Sequence, residues 1–264
     1  MTDTRFETTG DGASIAYRED GGENPGRCGL FWLGGFRSDM LGGKAEALAA
    51  LARDTRRPML RFDYSGHGES GGFFVDGTIS AWLRQSLHMF TRKAPGKRII
   101  VGSSMGGWLA MLLYRHLQRH EPQALRRVAG LVLVAPATDF TSDLMWRSFD
   151  DAIKAELAVK GVYMRPSLYG DPYPITARLI EDGDRNLMLA DGLEVDCPVR
   201  ILQGDADPDV PPAHAMRVYE ALRGHDVTFT LVKGGDHRLS TPDNLGLLRE
   251  TAAALADRAD GVSS

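Results

Sequence analysis

In Arg98-Ile99-Ile100-Val101-Gly102-Ser103-Ser104-Met105-Gly106-Gly107-Trp108 an apolar run stops at a glycine, passes two serines and resumes as a helical pattern through Leu109, Met111, Leu112, Leu113 and Tyr114. The stretch reads as a buried strand, a sharp turn and a helix. Such a turn holds the Ser104 hydroxyl clear of the backbone, and Gly102 and Gly106 leave room where side chains would clash. Because the helix starts at this serine, its N-terminal amides and dipole favour negative charge developing beside the hydroxyl. Ser104 is the candidate nucleophile.

The pattern G-x-S-x-G occurs twice, and context separates the copies. Gly68-Glu69-Ser70-Gly71-Gly72 lies in the glycine-rich run that starts at Ser65. No apolar strand feeds that run directly and no helical pattern starts at Ser70, so it reads as loop.

Outward from Ser104 the chain alternates strand and helix. Residues 6–8 and 14–18 suggest a hairpin around Gly10-Asp11-Gly12. Leu30-Phe31-Trp32-Leu33 and Met59-Leu60-Arg61-Phe62 are short apolar strands, each followed by a loop and then a helical pattern, over residues 40–53 and from Ile79 through Leu87. Leu131-Val132-Leu133-Val134 is an uninterrupted apolar run, as a parallel strand covered on both faces requires. From 138 to 198 no clear strand is legible, only helical pieces such as 150–159 among Gly161, Pro166, Gly170, Pro172, Pro174 and Gly183. An insertion of that kind over a sheet would be a small helical cap. Strands resume with Val199-Arg200-Ile201-Leu202 and residues 227–232, and a helix over 244–256 ends the pattern. The expectation is one α/β domain, 1–264, with a mostly parallel sheet and the cap insertion at about 138–198.

Composition narrows the function classes. With 264 residues and 43% hydrophobic content the chain can bury one substantial core. A formal net charge of -4, with Lys and Arg scattered, offers neither a basic stripe for nucleic acid nor a polybasic membrane patch. No apolar stretch has the length of a membrane span. Cys28 and Cys197 each precede an apolar strand, which fits a reduced compartment better than a disulfide scaffold. Met1-Thr2-Asp3-Thr4-Arg5-Phe6-Glu7 resembles neither a secretory signal nor an Arg-rich transit peptide, so a cytoplasmic location is expected. No H-E-x-x-H, C-x-x-C or phosphate-binding glycine motif occurs in the required context, and neither metal nor cofactor is expected.

A serine hydroxyl needs a base to take its proton and a carboxylate to orient that base. Asp207 lies in Gln203-Gly204-Asp205-Ala206-Asp207-Pro208-Asp209-Val210-Pro211, just after a strand, and His237 lies in Gly234-Gly235-Asp236-His237-Arg238, just after the last one. The carboxyl ends of strands are where open α/β sheets bind ligands. Asp139, after the preceding strand, is the alternative acid, and aspartates in such loops also cap turns. The other histidines fall at places where the side chain is ordinarily structural or solvated: His67 in the glycine-rich loop, His88, His116 and His120 on helices, His214 and His225 beside a helix. Two backbone donors must meet the oxyanion, Met105 after the nucleophile and Phe36 after Gly34-Gly35.

These features together resemble the α/β-hydrolase superfamily over nearly the whole chain. More narrowly, Gly35-Phe36-Arg37-Ser38-Asp39-Met40, Arg61-Phe62-Asp63-Tyr64-Ser65-Gly66, the Ser104 turn, Lys160-Gly161-Val162-Tyr163 and Asp236-His237-Arg238 resemble the mitochondrial acyl-glucuronide esterase and palmitoyl-protein thioesterase branch with its bacterial relatives. The resemblance implies hydrolysis of esters or thioesters through an acyl-enzyme, on a small-molecule or acylated substrate. Acyl transfer to another acceptor on the same three residues, or a non-catalytic binding protein of this fold, are the competing classes. The insertion carries apolar groups, among them Met145, Trp146, Phe149, Tyr163 and Met164, beside Arg147, Arg165, Arg178 and Arg185. Over Ser104, these could hold an acyl chain and an anionic leaving group, or the apolar groups could simply pack the cap onto the sheet.

Overall fold

The computed structural model describes residues 3–167 and 170–262. The reading of the first seven residues as free of a targeting signal rests partly on Met1 and Thr2, which lie outside the described residues.

The chain opens with the hairpin β1 (Arg5–Thr8) and β2 (Ser14–Asp20), then runs through β3 (Gly29–Leu33), α1 (Gly43–Asp54), β4 (Met59–Phe62), α2 (Ile79–Lys93), β5 (Arg98–Ser103), α3 (Met105–His120), the single turn α4 (Pro122–Leu125) and β6 (Val128–Val134). The insertion supplies α5 (Asp151–Lys160), β7 (Val162–Ser167), β8 (Gly170–Thr176), α6 (Ala177–Asp184) and β9 (Leu193–Glu194). The remaining elements are β10 (Val199–Gly204), α7 (Pro212–Ala221), β11 (Leu222–Arg223), β12 (Val227–Val232) and α8 (Pro242–Ala259).

The main sheet has the strand order β1-β2-β4-β3-β5-β6-β10-β12 among the described residues. It is antiparallel at the β1–β2–β4 edge and parallel from β4 to β12. Successive side chains point to opposite faces, and both faces are covered, which is why the central strands are apolar throughout. Phe31, Leu33 and Ile100 join a core with α2 and α3, whereas Leu30, Trp32, Ile99 and Val101 join another with α1 and α8. From β3 the chain first goes to one neighbour, β4, and later to the other, β5. Strand order therefore reverses at β3, and the loops leaving β3 and β5 open the crevice where such sheets bind ligands.

One expectation needs correction. The insertion is not purely helical: β7 and β8 form an antiparallel hairpin, with Tyr163 paired to Ile175 and Arg165 to Tyr173, and β9 pairs in parallel with β11. Pro166, Pro172 and Pro174 argued against strands there. Proline is excluded from the middle of a sheet by its missing N–H, but a two-stranded ribbon has only edges and tolerates it.

Candidate active site

Ser104 takes φ 55 and ψ -119, a conformation that costs a non-glycine residue about 1–3 kcal/mol and persists only where the surroundings hold it. They do so through the backbone: Ser104 N donates to Val134 O at 2.8 Å, and Ala137 N donates to Ser104 O at 3.1 Å. Close approach explains the flanking glycines. A Cβ on Gly102 would stand 2.2 Å from Gly106 O, and one on Gly106 would stand 2.0 Å from Leu33 O. The start of α3 is thereby drawn against the end of β3, which sets the Met105 amide beside the loop that carries Phe36.

Asp207 and His237 reach this point from β10 and β12. Their loops are joined by Asp205 N to Val232 O and Ala206 N to Gly235 O, both 3.0 Å. His237 Nε2 lies 3.1 Å from Ser104 Oγ, and His237 Nδ1 lies 2.8 Å from Asp207 Oδ2. A carboxylate only accepts, so the ring proton sits on Nδ1 and Nε2 is free to accept the serine hydroxyl. The Asp207 side chain is fully buried and that of His237 is 23% exposed. Burial pushes the Asp207 carboxyl up, but the hydrogen bond and charge of His237 and the amides of Val210 and Asp209 outweigh it and hold the group below its ordinary value.

The other aspartates of this loop have different tasks. Asp205 pairs with Lys233 at 2.8 Å, and Asp209 is exposed and gives its amide to Asp207 Oδ1 at 2.9 Å. Asp207, Asp209 and His237 bring ligand-type atoms within 4.8 Å of one another. Since Asp207 and His237 are already bonded to each other, the trio is organised as a carboxylate–imidazole pair rather than as a chelate.

Asp139, the alternative acid, is turned the other way. Its buried carboxylate accepts from the amides of Met188 at 3.0 Å and Leu189 at 2.9 Å, tying the return of the insertion to the end of β6. Asp139→Ala should strand these buried amides and cost about 1–3 kcal/mol in urea unfolding, while kcat/KM per folded molecule stays within a few-fold of wild type. A stable Asp139→Ala protein without activity would return the acid's role to this residue.

Ser70, in the second G-x-S-x-G, is structural. Its Oγ accepts from Ala16 N at 2.8 Å and donates to Asp63 O at 2.7 Å. The loop of Phe36 touches Ser104, for a Cβ on Gly35 would lie 3.4 Å from Ser104 Cβ. Neither the Phe36 nor the Met105 amide donates to an acceptor among the described residues. The Phe36 ring is the hub of an aromatic cluster with Phe74 at 5.0 Å, Phe140 at 5.5 Å and Tyr173 of β8 at 6.2 Å.

The groups of the insertion divide. Met145 and Phe149 are buried in the core, and the Phe149 ring packs on Tyr163 at 5.7 Å, so these hold the insertion to the sheet. Arg147 pairs with Asp143 at 3.1 Å and Arg185 with Asp182 at 3.3 Å. Trp146 and Met164 stay 38% and 51% exposed.

Two supports went unread in the sequence. Gln203, completely buried, donates from Nε2 to Asp207 Oδ2 at 3.1 Å and to the Val210 carbonyl at 2.9 Å. Lys44 donates to the Arg238 carbonyl beside His237. A glutamine at a strand end and a lysine early in a helix carry no local signal of such roles, because both partners lie in other parts of the chain or in the turn geometry.

Among the described residues no helix is long and apolar enough to cross a membrane. Both cysteines are free thiols, and burial pushes Cys28 up to about 11 and Cys197 up to about 12, away from the thiolate form.

Known proteins bear on this geometry. The model of the alpha/beta hydrolase family matches residues 25–257. The palmitoyl-protein thioesterase ABHD10 of Homo sapiens is 32% identical over 259 residues, covering 97% of this chain and 81% of that protein. Among solved structures, a hydrolase from Agrobacterium vitis S4 superposes with a TM-score of 0.93 at 44% identity, covering 97% of this chain and 99% of that one. ABHD10 from mouse superposes with a TM-score of 0.83 at 29% identity and the same coverage. The human relative is named as mitochondrial, which overturns the expectation of a cytoplasmic location; a short N-terminal stretch judged by composition alone was too thin a basis for it. With the match spanning the sheet from β3 to β12, the Ser104 turn and the loops of Asp207 and His237, the chain belongs to the alpha/beta hydrolase family.

Proposed function

We propose that this hydrolase cleaves carboxylic esters and thioesters with Ser104 as nucleophile, His237 as general base and acid, and Asp207 as the carboxylate that orients and charges His237. The observation that carries the reading is the continuous hydrogen-bonded chain from Ser104 Oγ through His237 to Asp207, at 3.1 and 2.8 Å. Ser104 Oγ attacks the acyl carbon as its proton passes to Nε2 of His237. The carbonyl oxygen, now an oxyanion, is met by the Phe36 and Met105 amides, and the dipole of α3 adds to them. Collapse expels the alcohol or thiol, which takes the proton from His237. Water then attacks the acyl-enzyme by the same route in reverse and frees the acid.

Residues 138–198 act as a cap on a single hydrolase domain. The acyl group lies against the aromatic cluster of Phe36, Phe74, Phe140 and Tyr173, the last from the cap. Two features support an apolar acyl group: the make-up of that wall, and the name of the human relative as a palmitoyl-protein thioesterase. Each methylene buried there contributes about 0.8 kcal/mol, or roughly fourfold in kcat/KM. The test is kcat/KM across an acyl-length series, run as esters of one alcohol and as thioesters of one thiol. A rise over several methylenes in both series is expected; a flat or falling profile would remove the aromatic acyl site, and no turnover of either series would remove the reaction.

A further inference from the structure

The glycine-rich loop after β4 takes no part in the proton relay, yet it holds a buried histidine facing the loop of Phe36. His67 is 4% exposed, its ring set among Trp82 at 5.1 Å, Phe74 at 5.2 Å and Tyr64 at 5.5 Å. His67 Nδ1 lies 3.2 Å from the Ser65 carbonyl, and Nε2 lies 3.2 Å from the backbone nitrogen of Arg37. A carbonyl only accepts and an amide N–H only donates, so the proton is on Nδ1 and Nε2 is the acceptor. Burial pushes His67 down to about 4, which keeps Nε2 unprotonated at neutral pH.

Arg37 needs such a hold. It sits at φ 58, in the left-handed region that disfavours side chains, directly after Phe36. The same stretch of chain fixes the rest of this loop. Tyr64 Oη donates to Gly34 O at 3.3 Å, Asp63 Oδ1 accepts from Met40 N at 2.6 Å, and Arg61 Nη1 donates to Met40 O at 2.9 Å. Gly68 lets the chain fold back on Asp63, where a Cβ would stand 2.0 Å from Oδ2. The Phe36 N–H belongs to the Gly35–Phe36 peptide, whose carbonyl accepts from Ser38 N at 3.1 Å, and of the four ties from the β4 side only that of His67 falls on the adjoining Phe36–Arg37 peptide.

We infer that His67 is a positioning residue: by accepting from Arg37 N–H it fixes the Phe36–Arg37 peptide, and with it the direction of the Phe36 amide toward the oxyanion. The inference rests on the reading of Phe36 as an oxyanion donor. The role calls for an acceptor at the ε position, which glutamine supplies, asparagine holds one bond short, and phenylalanine lacks.

The experiment compares His67→Phe, His67→Asn and His67→Gln with wild type in kcat, KM, melting temperature and inhibition by an alkyl trifluoromethyl ketone. That ketone adds the serine oxygen and places an oxyanion in the same hole. For His67→Phe and His67→Asn, kcat should fall about 10²-fold and the inhibition constant should rise in step, with KM changed by less than about threefold. His67→Gln should restore both to within about tenfold of wild type. A lost packing contact alone would lower the melting temperature without this paired shift. If His67→Phe fails to fold, the Asn and Gln variants decide between themselves. Unchanged kcat and inhibition in folded His67→Asn, or equal losses in Asn and Gln, would overturn the inference. A wild type indifferent to the ketone would instead overturn the serine-hydrolase reading beneath it.

Discussion

Ser104→Ala is expected to lower kcat/KM on an activated ester by on the order of 10⁴- to 10⁶-fold with no loss of folding, since alanine removes the nucleophile and leaves the strand, the helix and the loops in place. Some hydrolysis above that in water should survive, because the Phe36 and Met105 donors belong to the backbone. Ser70→Ala supplies the contrast. Its hydroxyl links Ala16 to Asp63, so its removal should cost about 1–2 kcal/mol of stability and leave kcat/KM per folded molecule nearly unchanged. Steady-state kinetics beside urea melts separate the two; an inactive, folded Ser70→Ala with an active Ser104→Ala would reverse the assignment.

Asp207→Asn should be the next most damaging change, at about 10³- to 10⁴-fold in kcat, because an amide no longer stabilises the imidazolium and can hold the wrong tautomer. Asp205→Asn breaks the ion pair with the exposed Lys233 but keeps an oxygen for the Gly234 amide, now 2.6 Å away, and should cost little. The pH dependence of stability gives a second readout. Burial raises the Asp207 carboxyl, but His237 and the loop amides leave the folded value below the ordinary 3.8. A group lowered in this way adds stability above its unfolded value, and the gain is lost as pH falls through the folded one. Asp207→Asn should therefore flatten the acid limb of the melting profile below about pH 4. Wild-type activity in Asp207→Asn would exclude this residue as the orienting acid.

The features legible in the sequence were those in which local pattern and tertiary role coincide. The apolar run into Ser104 and the helix after it form one supersecondary unit, and its glycines sit where β3 and α3 come closest. Asp207 and His237 could be singled out because each follows an apolar strand. The sequence places Asp207 ahead of Asp139 although both follow strands, and the structure adds that His237 bonds to Asp207 while Asp139 accepts from the Met188 and Leu189 amides. The β7–β8 hairpin stayed hidden because prolines that forbid a central strand are harmless in a ribbon. Gln203 and His67 stayed hidden for another reason: each makes hydrogen bonds whose geometry no periodicity encodes.

The most direct measurement of the central claim is the site of covalent modification by a fluorophosphonate. Displacement of fluoride by the activated hydroxyl leaves one phosphonyl group on the protein, and intact-mass analysis followed by peptide mapping locates it. A single adduct on Ser104 is expected, absent from Ser104→Ala and strongly slowed in His237→Ala. An adduct on Ser70, or labelling that persists in Ser104→Ala, would contradict it.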